Sequence, residues 1–225
     1  MLSQIISDQL LKDRAAEEPR NYLGASLIGK ECMREIWYEH NHHPAALFAA
    51  KQLLTFEIGK AVEGQIKELL YGNKSWRLYP PQYNSEDNNL RGTPDLIYYG
   101  ENLSADDRLW DKKTVVVYEI KTANNASFNQ FKKHGLRKWR EQYYAQIQVY
   151  MGMSEISKGI LLCINKDNSE IHEEEAEFDD LYYKMLLTKA RTIKDATEPP
   201  PRISSTPLHP SCKMCQHKEI CFNER

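Results

Sequence analysis

Residues 114–121 read Thr-Val-Val-Val-Tyr-Glu-Ile-Lys, a β-branched and aromatic run that sets a carboxylate and an ammonium group into a strand. Side chains on a strand alternate faces, so Glu119 and Lys121 point to the same side. An earlier strand-like piece, Gly92-Thr93-Pro94-Asp95-Leu96-Ile97, carries Asp95, and strand pairing brings it beside them. Two carboxylates converging on one point repel unless a cation sits between them, and oxygen ligands of this kind suit Mg²⁺ or Mn²⁺. Lys121 then stands near the metal without binding it. Such a set suits phosphodiester hydrolysis, in which the metal polarises a phosphoryl oxygen and the ammonium orients water. Taken alone, Glu-x-Lys is as readily an exposed ion pair worth little.

The rest of the chain reads as one domain mixing helices and strands. At 225 residues it is long enough for one well-buried core, and 41% hydrophobic residues with 13 tyrosines exclude a disordered chain. A formal charge of −2 excludes a uniform polycation, so any basic surface is local. No stretch approaches the roughly 18 apolar residues that span a bilayer, and the N-terminus lacks the pattern of a secretory signal, so a soluble chain with no membrane partner is expected. Leu2, Ile5, Ile6, Leu10 and Leu11 recur at helical spacing. Ser26 is the N-cap expected for a helix carrying Leu27, Ile28, Met33, Ile36 and Trp37, with Cys32 inside it. A long helix carrying Glu63 is expected from Pro44 to a stop at Gly72. Strands follow at 75–79, 90–99 and 114–121, with a loop over 100–113. Then come a helical stretch at 127–151, a hairpin of 158–165 and 170–178, a helix at 181–193 and an extended proline-rich tail.

Gln146 and Tyr150, four residues apart, share a helix face just after the Glu119 strand, and Glu63 adds a third carboxylate. With a helix carboxylate, Asp, Glu-x-Lys and Gln-x-x-x-Tyr in this order over residues 56–150, the chain resembles the PD-(D/E)xK nuclease superfamily and, within it, the RecB-like branch. The resemblance implies an α/β fold: a restriction-endonuclease-like core with a small mixed sheet flanked by helices, plus a helical N-terminal part and a Cys-rich C-terminal tail. It implies Glu63, Asp95 and Glu119 as catalytic metal ligands, the Ile120 backbone carbonyl as a fourth, and Lys121 as the catalytic lysine. Gln146 and Tyr150 would touch the DNA backbone or brace the site. Many RecB-like members carry His where Glu63 stands, which makes the present set more anionic and Glu63 its least secure member. An ordinary solvent-facing glutamate competes with that role.

Cys212-x-x-Cys215 followed by Cys221 lies among Pro, His and Lys with no apolar periodicity, as expected of metal-binding thiols. Five cysteines, an odd number, argue against a disulfide framework and for a reducing compartment, the cytoplasm. Cys32 is the attractive fourth ligand, whereas Cys163, inside Gly-Ile-Leu-Leu-Cys-Ile, reads as core. Spacing does not choose between an iron–sulfur cluster and zinc, for which His209 and His217 offer further ligands. One N-terminal Cys with a C-terminal Cys-x-x-Cys and a third Cys is similar to the arrangement in the AddB nuclease domain and the CRISPR-associated RecB-like exonucleases. That similarity implies a structural 4Fe-4S cluster on Cys32, Cys212, Cys215 and Cys221.

Lys132, Lys133, Arg137, Lys138 and Arg140 form the one dense basic segment, either a phosphate-binding stripe or a solvated helix face. Phe128 and Phe131 read as core, while Trp139 fits either core or base stacking. Glu173, Glu174, Glu175 and Glu177 read as a solvated strand edge that DNA avoids. The expected organisation is one nuclease domain over 1–225: a helical part at 1–50, the core at 51–195 and the metal-binding tail at 196–225. The expected activity is metal-dependent DNA hydrolysis. From the resemblance it is exonucleolytic on single strands or single-stranded ends, 5′ to 3′, with recombination or CRISPR-adaptation proteins as partners and an oligomer allowed. The rivals are a structure-specific endonuclease or phage-type end-resection nuclease, and a DNA-binding adaptor without activity.

Overall fold

The structure, a computed structural model, describes residues 1–100 and 114–223. Helix α1 (Leu2–Ala16) forms over the expected apolar repeat, yet it buries no side chain. It is followed by strand β1 (Leu23–Gly24), the short helix α2 (Ala25–Ile28) and helix α3 (Met33–His40). The single helix expected here is thus broken between Ile28 and Met33, with Gly24 rather than Ser26 at the first N-cap and Cys32 at the second. The break has a packing cause. A Cβ on Gly29 would stand 2.6 Å from the Gln142 backbone, so the chain crosses a neighbouring helix too closely for a side chain there.

Residues 44–49 are irregular, and α4 (Ala50–Leu69) starts later than Pro44 predicts, with the Gln52 side chain accepting from the Ala49 N–H. Gly72, at φ +82°, supplies the stop. Strands β2 (Trp76–Arg77), β3 (Tyr83–Ser85), β4 (Leu90–Gly92) and β5 (Leu96–Tyr98) follow. The strand expected over 90–99 is interrupted at Thr93-Pro94, where proline has no N–H to offer a ladder, and its halves join different sheets. Strand β3 was not foreseen. Residues 101–113 of the expected loop lie outside the described residues.

Beyond them lie β6 (Val116–Ala123), α5 (Asn125–His134), α6 (Leu136–Trp139), α7 (Glu141–Ser154), β7 (Lys158–Asn165), β8 (Ile171–Glu177) and α8 (Asp180–Asp195). The helical stretch expected at 127–151 is therefore three helices, broken at Gly135, whose φ is +76°, and at Arg140. The expected hairpin is β7 and β8, antiparallel, and α8 agrees with the last helix. The tail runs extended before two short helices, α9 (Pro210–Lys213) and α10 (Lys218–Asn223).

Two sheets organise the molecule. One has the order β2-β5-β6-β7-β8, in which β6 and β7 are parallel and the other pairs antiparallel. The second, β1-β4-β3, pairs β1 parallel and β3 antiparallel to β4. Helices α5 to α7 carry the crossover between the parallel strands, as such a pair requires. The buried alternation of β7, with Leu161 and Cys163 facing inward, packs against Ile147 and Met151 of α7 and Phe128 and Phe131 of α5. This is the mixed sheet flanked by helices that the sequence leads one to expect. Cys163 is fully buried in its core.

Candidate active site

Strand register makes the site. In the β5–β6 pair Leu96 stands opposite Tyr118, so Asp95 falls beside Glu119, and its own N–H donates to the Tyr118 carbonyl at 3.1 Å. The Asp95 carboxylate accepts from the Ile120 N–H at 2.7 Å, which fixes it against β6. Glu119 is 1% exposed, and Lys121, on the same face two residues along, donates to its Oε1. Gln146 of α7 donates to the same oxygen at 2.8 Å and to the Tyr150 hydroxyl at 2.7 Å, so the helix pair i, i+4 braces the carboxylate from the far side. The other oxygen, Glu119 Oε2, is buried without a hydrogen-bond partner among the described residues.

The electrostatics carry the mark of converging like charges. Burial, and then the charge of Glu119, push the Asp95 carboxyl up to about 8. Burial likewise raises Glu119, against the pull of Lys121. Burial alone would lower Lys121, but Glu119 and Asp95 outweigh it and hold the ammonium form firmly. Burial and Glu119 raise the Tyr150 hydroxyl, which stays neutral. A divalent cation fits this set on two counts: Glu119, which lines the cavity, has a buried carboxylate oxygen without a partner, and the pull of Lys121 on Asp95 does not offset burial and the charge of Glu119.

Glu63 sits differently. On α4 its carboxylate accepts from Lys67 at 2.5 Å, although its charge is felt by both Asp95 and Glu119. Helix α4 crosses β6 closely at Gly59, where a Cβ would stand 3.7 Å from Thr122 Oγ1. Among the described residues no three His, Cys, Asp or Glu side chains are grouped as a metal site; Asp95 and Glu119 adjoin, and Glu63 acts on both by its charge while paired with Lys67. For Ile120 it shows the N–H bonded to Asp95.

Cys32, Cys212, Cys215 and Cys221 line one small cavity of about 20 Å³, all as free thiols, without closing on a common centre. The N-terminal and C-terminal cysteines are thus brought together by the fold. Burial raises the Cys212 and Cys215 thiols, the latter to about 11. His217 is 2% exposed and engaged elsewhere, with the Pro44 carbonyl at 3.1 Å and Glu39 at 3.2 Å. His209 accepts from the Ser211 N–H at 3.3 Å.

The basic segment is divided among α5, α6 and the turn before α7. Lys132 is paired with Glu170, and Arg137 lies over the rings of Tyr144 and Tyr182. Lys133 is exposed, whereas Lys138 and Arg140 line a groove of about 480 Å³ with His134 and Trp139. Trp139 packs on Phe131 at 4.7 Å and donates to Ser127, joining the core edge. Arg20, Tyr22, Arg91 and Gly92 share the Asp95–Glu119 cavity, of about 370 Å³, and were not foreseen. Arg91 and Gly92 directly precede Thr-Pro-Asp and could have been found there. Arg20 and Tyr22 arrive only through the β1–β4 pairing of distant segments.

No protein-family model matches this sequence, and no curated protein matches it. Among solved structures the chain is similar to the crystal structure of SSO0001, with a TM-score of 0.59 and 18% identity, covering 98% of this chain and 96% of that one. It is also similar to LHK-Exo, an alkaline exonuclease from Laribacter hongkongensis, with a TM-score of 0.53 and 13% identity over 83% of this chain and 90% of that one. The complex of LHK-Exo with dAMP gives a TM-score of 0.51 at the same identity and coverage. These likenesses establish a shared α/β fold.

Proposed function

We propose that this chain is a divalent-metal-dependent deoxyribonuclease of the PD-(D/E)xK kind, RecB-like, acting from single-stranded DNA ends. The observation that carries the reading is the convergence of Asp95, Glu119 and Lys121 on one cavity, with Glu119 Oε2 left unsatisfied. The likeness to an alkaline exonuclease crystallised with dAMP supports it in kind.

Asp95 and Glu119 would hold Mg²⁺ or Mn²⁺, with Glu63 and the Ile120 carbonyl as the further ligands of this reading. A divalent ion held there would supply Lewis acidity for a phosphoryl oxygen and for the attacking water. Lys121 orients that water and offsets the negative charge that grows on the phosphoryl oxygens as the water oxygen bonds to phosphorus and the P–O ester bond breaks. The attacking water gives up one proton to solvent, and the leaving oxygen takes one from solvent. Gln146 and Tyr150 keep Glu119 aimed at the cavity. Lys133, Lys138 and Arg140 bear on the phosphates of the incoming strand, and Lys132 and Arg137 support that face. Cys32, Cys212, Cys215 and Cys221 hold a structural 4Fe-4S cluster in a reducing, cytoplasmic setting. The engagement of His217 with Pro44 and Glu39 favours an all-cysteine ligand set over one that includes His217. Recombination or CRISPR-adaptation proteins are the partners this reading implies.

End-labelled linear and circular single strands, incubated with Mg²⁺ or Mn²⁺, test the reading. Wild-type protein should shorten the linear strand and spare the circle, and Lys121→Ala should lose activity by orders of magnitude. Cut circles would make it an endonuclease, and binding without cutting would make it an adaptor. Anaerobically purified protein should be brown; a colourless protein with stoichiometric zinc would replace the cluster assignment alone.

A further inference from the structure

We propose that Arg91 is a substrate-binding residue of this site: its guanidinium takes the DNA phosphate beside the one being cut and so sets the position of the strand over Asp95 and Glu119. This rests on the nuclease reading above and adds to it a residue that none of the motif positions supplies.

Arg91 lies in the middle of β4, paired with Gly24 of β1 on one side and Asn84 of β3 on the other, so its backbone is fixed from both edges. The next residue, Gly92, lies against the Tyr150 ring and Ala25, so closely that a Cβ would stand 2.5 Å from Tyr150 Cε1. Tyr150 is bonded to Gln146 and Gln146 to Glu119, so Arg91 is held in rigid relation to the carboxylates across the cavity. Its guanidinium lies 4.9 Å from the centre of the Tyr22 ring, which orders the group without satisfying its N–H donors. Arg91 Nε is buried and has no hydrogen-bond partner among the described residues.

The carboxylates sharing the cavity do not meet this need. Asp95 is taken by the Ile120 N–H, and Glu119 by Lys121 and Gln146. Arg20 adds a second guanidinium to the same wall, over Tyr22 and beside Gly24, the residue paired with Arg91. A cationic wall with an unpartnered Arg91 Nε–H, sharing its cavity with two carboxylates suited to a metal ion, is complementary to two neighbouring phosphates of one strand. A guanidinium matches a phosphate oxyanion with paired donors, which a lysine cannot do.

The test replaces, one at a time, each phosphate of a single-stranded oligonucleotide by an uncharged methylphosphonate. Cleavage is measured with Mg²⁺, and binding by fluorescence anisotropy in EDTA, where nothing is cut. In the wild-type protein one linkage beside the cleaved bond should be sensitive, losing about 10- to 100-fold in binding, the scale of a charge-assisted hydrogen bond. Arg91→Gln should show the same loss on unmodified DNA and no further loss with that neutral linkage, and Arg91→Lys should fall between. A wild-type protein with no sensitive linkage, or losses from Arg91→Gln and the neutral linkage that multiply, would overturn the role of Arg91 and leave the nuclease standing. A protein that neither binds nor cuts DNA would overturn both readings. If Arg91→Gln fails to fold, Arg91→Lys takes its place: a smaller loss with the neutral linkage than wild type shows supports Arg91, and an equal loss overturns its role, as does a wild-type scan with no sensitive linkage.

Discussion

Asp95 is the residue whose chemistry is most exposed to conditions, because its carboxyl is buried beside another. Its folded-state value is raised from the ordinary 3.8 to about 8, so the proton is bound more tightly in the folded chain than in the unfolded one. The corresponding stability is fully present below about pH 4 and is lost as pH rises toward about 8. Metal-free protein should therefore melt at progressively lower temperature across that window. Mg²⁺ should raise the melting temperature more at pH 8 than at pH 6, since the ion must displace the Asp95 proton at the lower pH. Thermal melts with and without Mg²⁺ check this, and Asp95→Asn should abolish most of the slope. Gly92 makes a different demand. Its α-carbon has no room for a methyl group, with Tyr150 Cε1 at 2.5 Å and Ala25 Cβ at 2.7 Å from the position a Cβ would take. Gly92→Ala should cost about 1–3 kcal/mol in urea denaturation. It should also lower turnover more than substrate affinity, because the displaced Tyr150 releases Gln146 and Glu119.

At the scale of elements, the parts legible in the sequence were those whose signal is local. The alternation along 158–165 gives β7, the turn residues after it give the hairpin to β8, and the register of β6 puts Glu119 and Lys121 on one face. Asp95 reaches them through a pairing that its apolar flank, Leu96 and Ile97, makes predictable. The second sheet is not legible, because β1 reaches β4 from far away in the sequence, β3 is only 3 residues long, and Thr93-Pro94 looks like part of a strand until the two sheets part there. The basic segment shows the same limit: its charges are local, but their partners are not. Lys132 faces Glu170 on the loop before β8, in an exposed pair that water screens, while Lys138 and Arg140 line an open groove beside Trp139. Lys132→Ala should thus leave the urea midpoint unchanged and change DNA affinity little. A Lys138→Ala, Arg140→Ala double variant should weaken DNA binding and flatten its dependence on salt, measured by anisotropy across a salt series.

For the molecule as a whole, the tail closes a circuit between the chain ends. After α8 it crosses α3, where Trp37 donates to the Ala196 carbonyl at 2.9 Å and Arg34 to the Pro200 carbonyl at 3.2 Å. Further on, Ser211 donates to Glu31 at 2.7 Å, the Ala46 N–H to the Gln216 carbonyl at 2.8 Å, and buried His217 meets Pro44 and Glu39. The four cysteines lie where these contacts converge, so a metal group there would lock a docking that hydrogen bonds already define. None of the thiols touches the Asp95 cavity. Cys221→Ser should therefore lose the proposed cluster and its visible absorption while the β6–β7–β8 sheet still folds, and trypsin should then cut at Lys213 or Lys218 faster than in the loaded wild type. Because a metal group there would act by holding the folded form, the melting temperature should fall by about 2–4 °C for each kcal/mol withdrawn. Removing the cluster from wild-type protein with a chelator should give the same melting temperature and the same tryptic pattern. Chelator and substitution effects that add would show that Cys221 stabilises the tail without holding the metal group, since one ligand set cannot be dismantled twice.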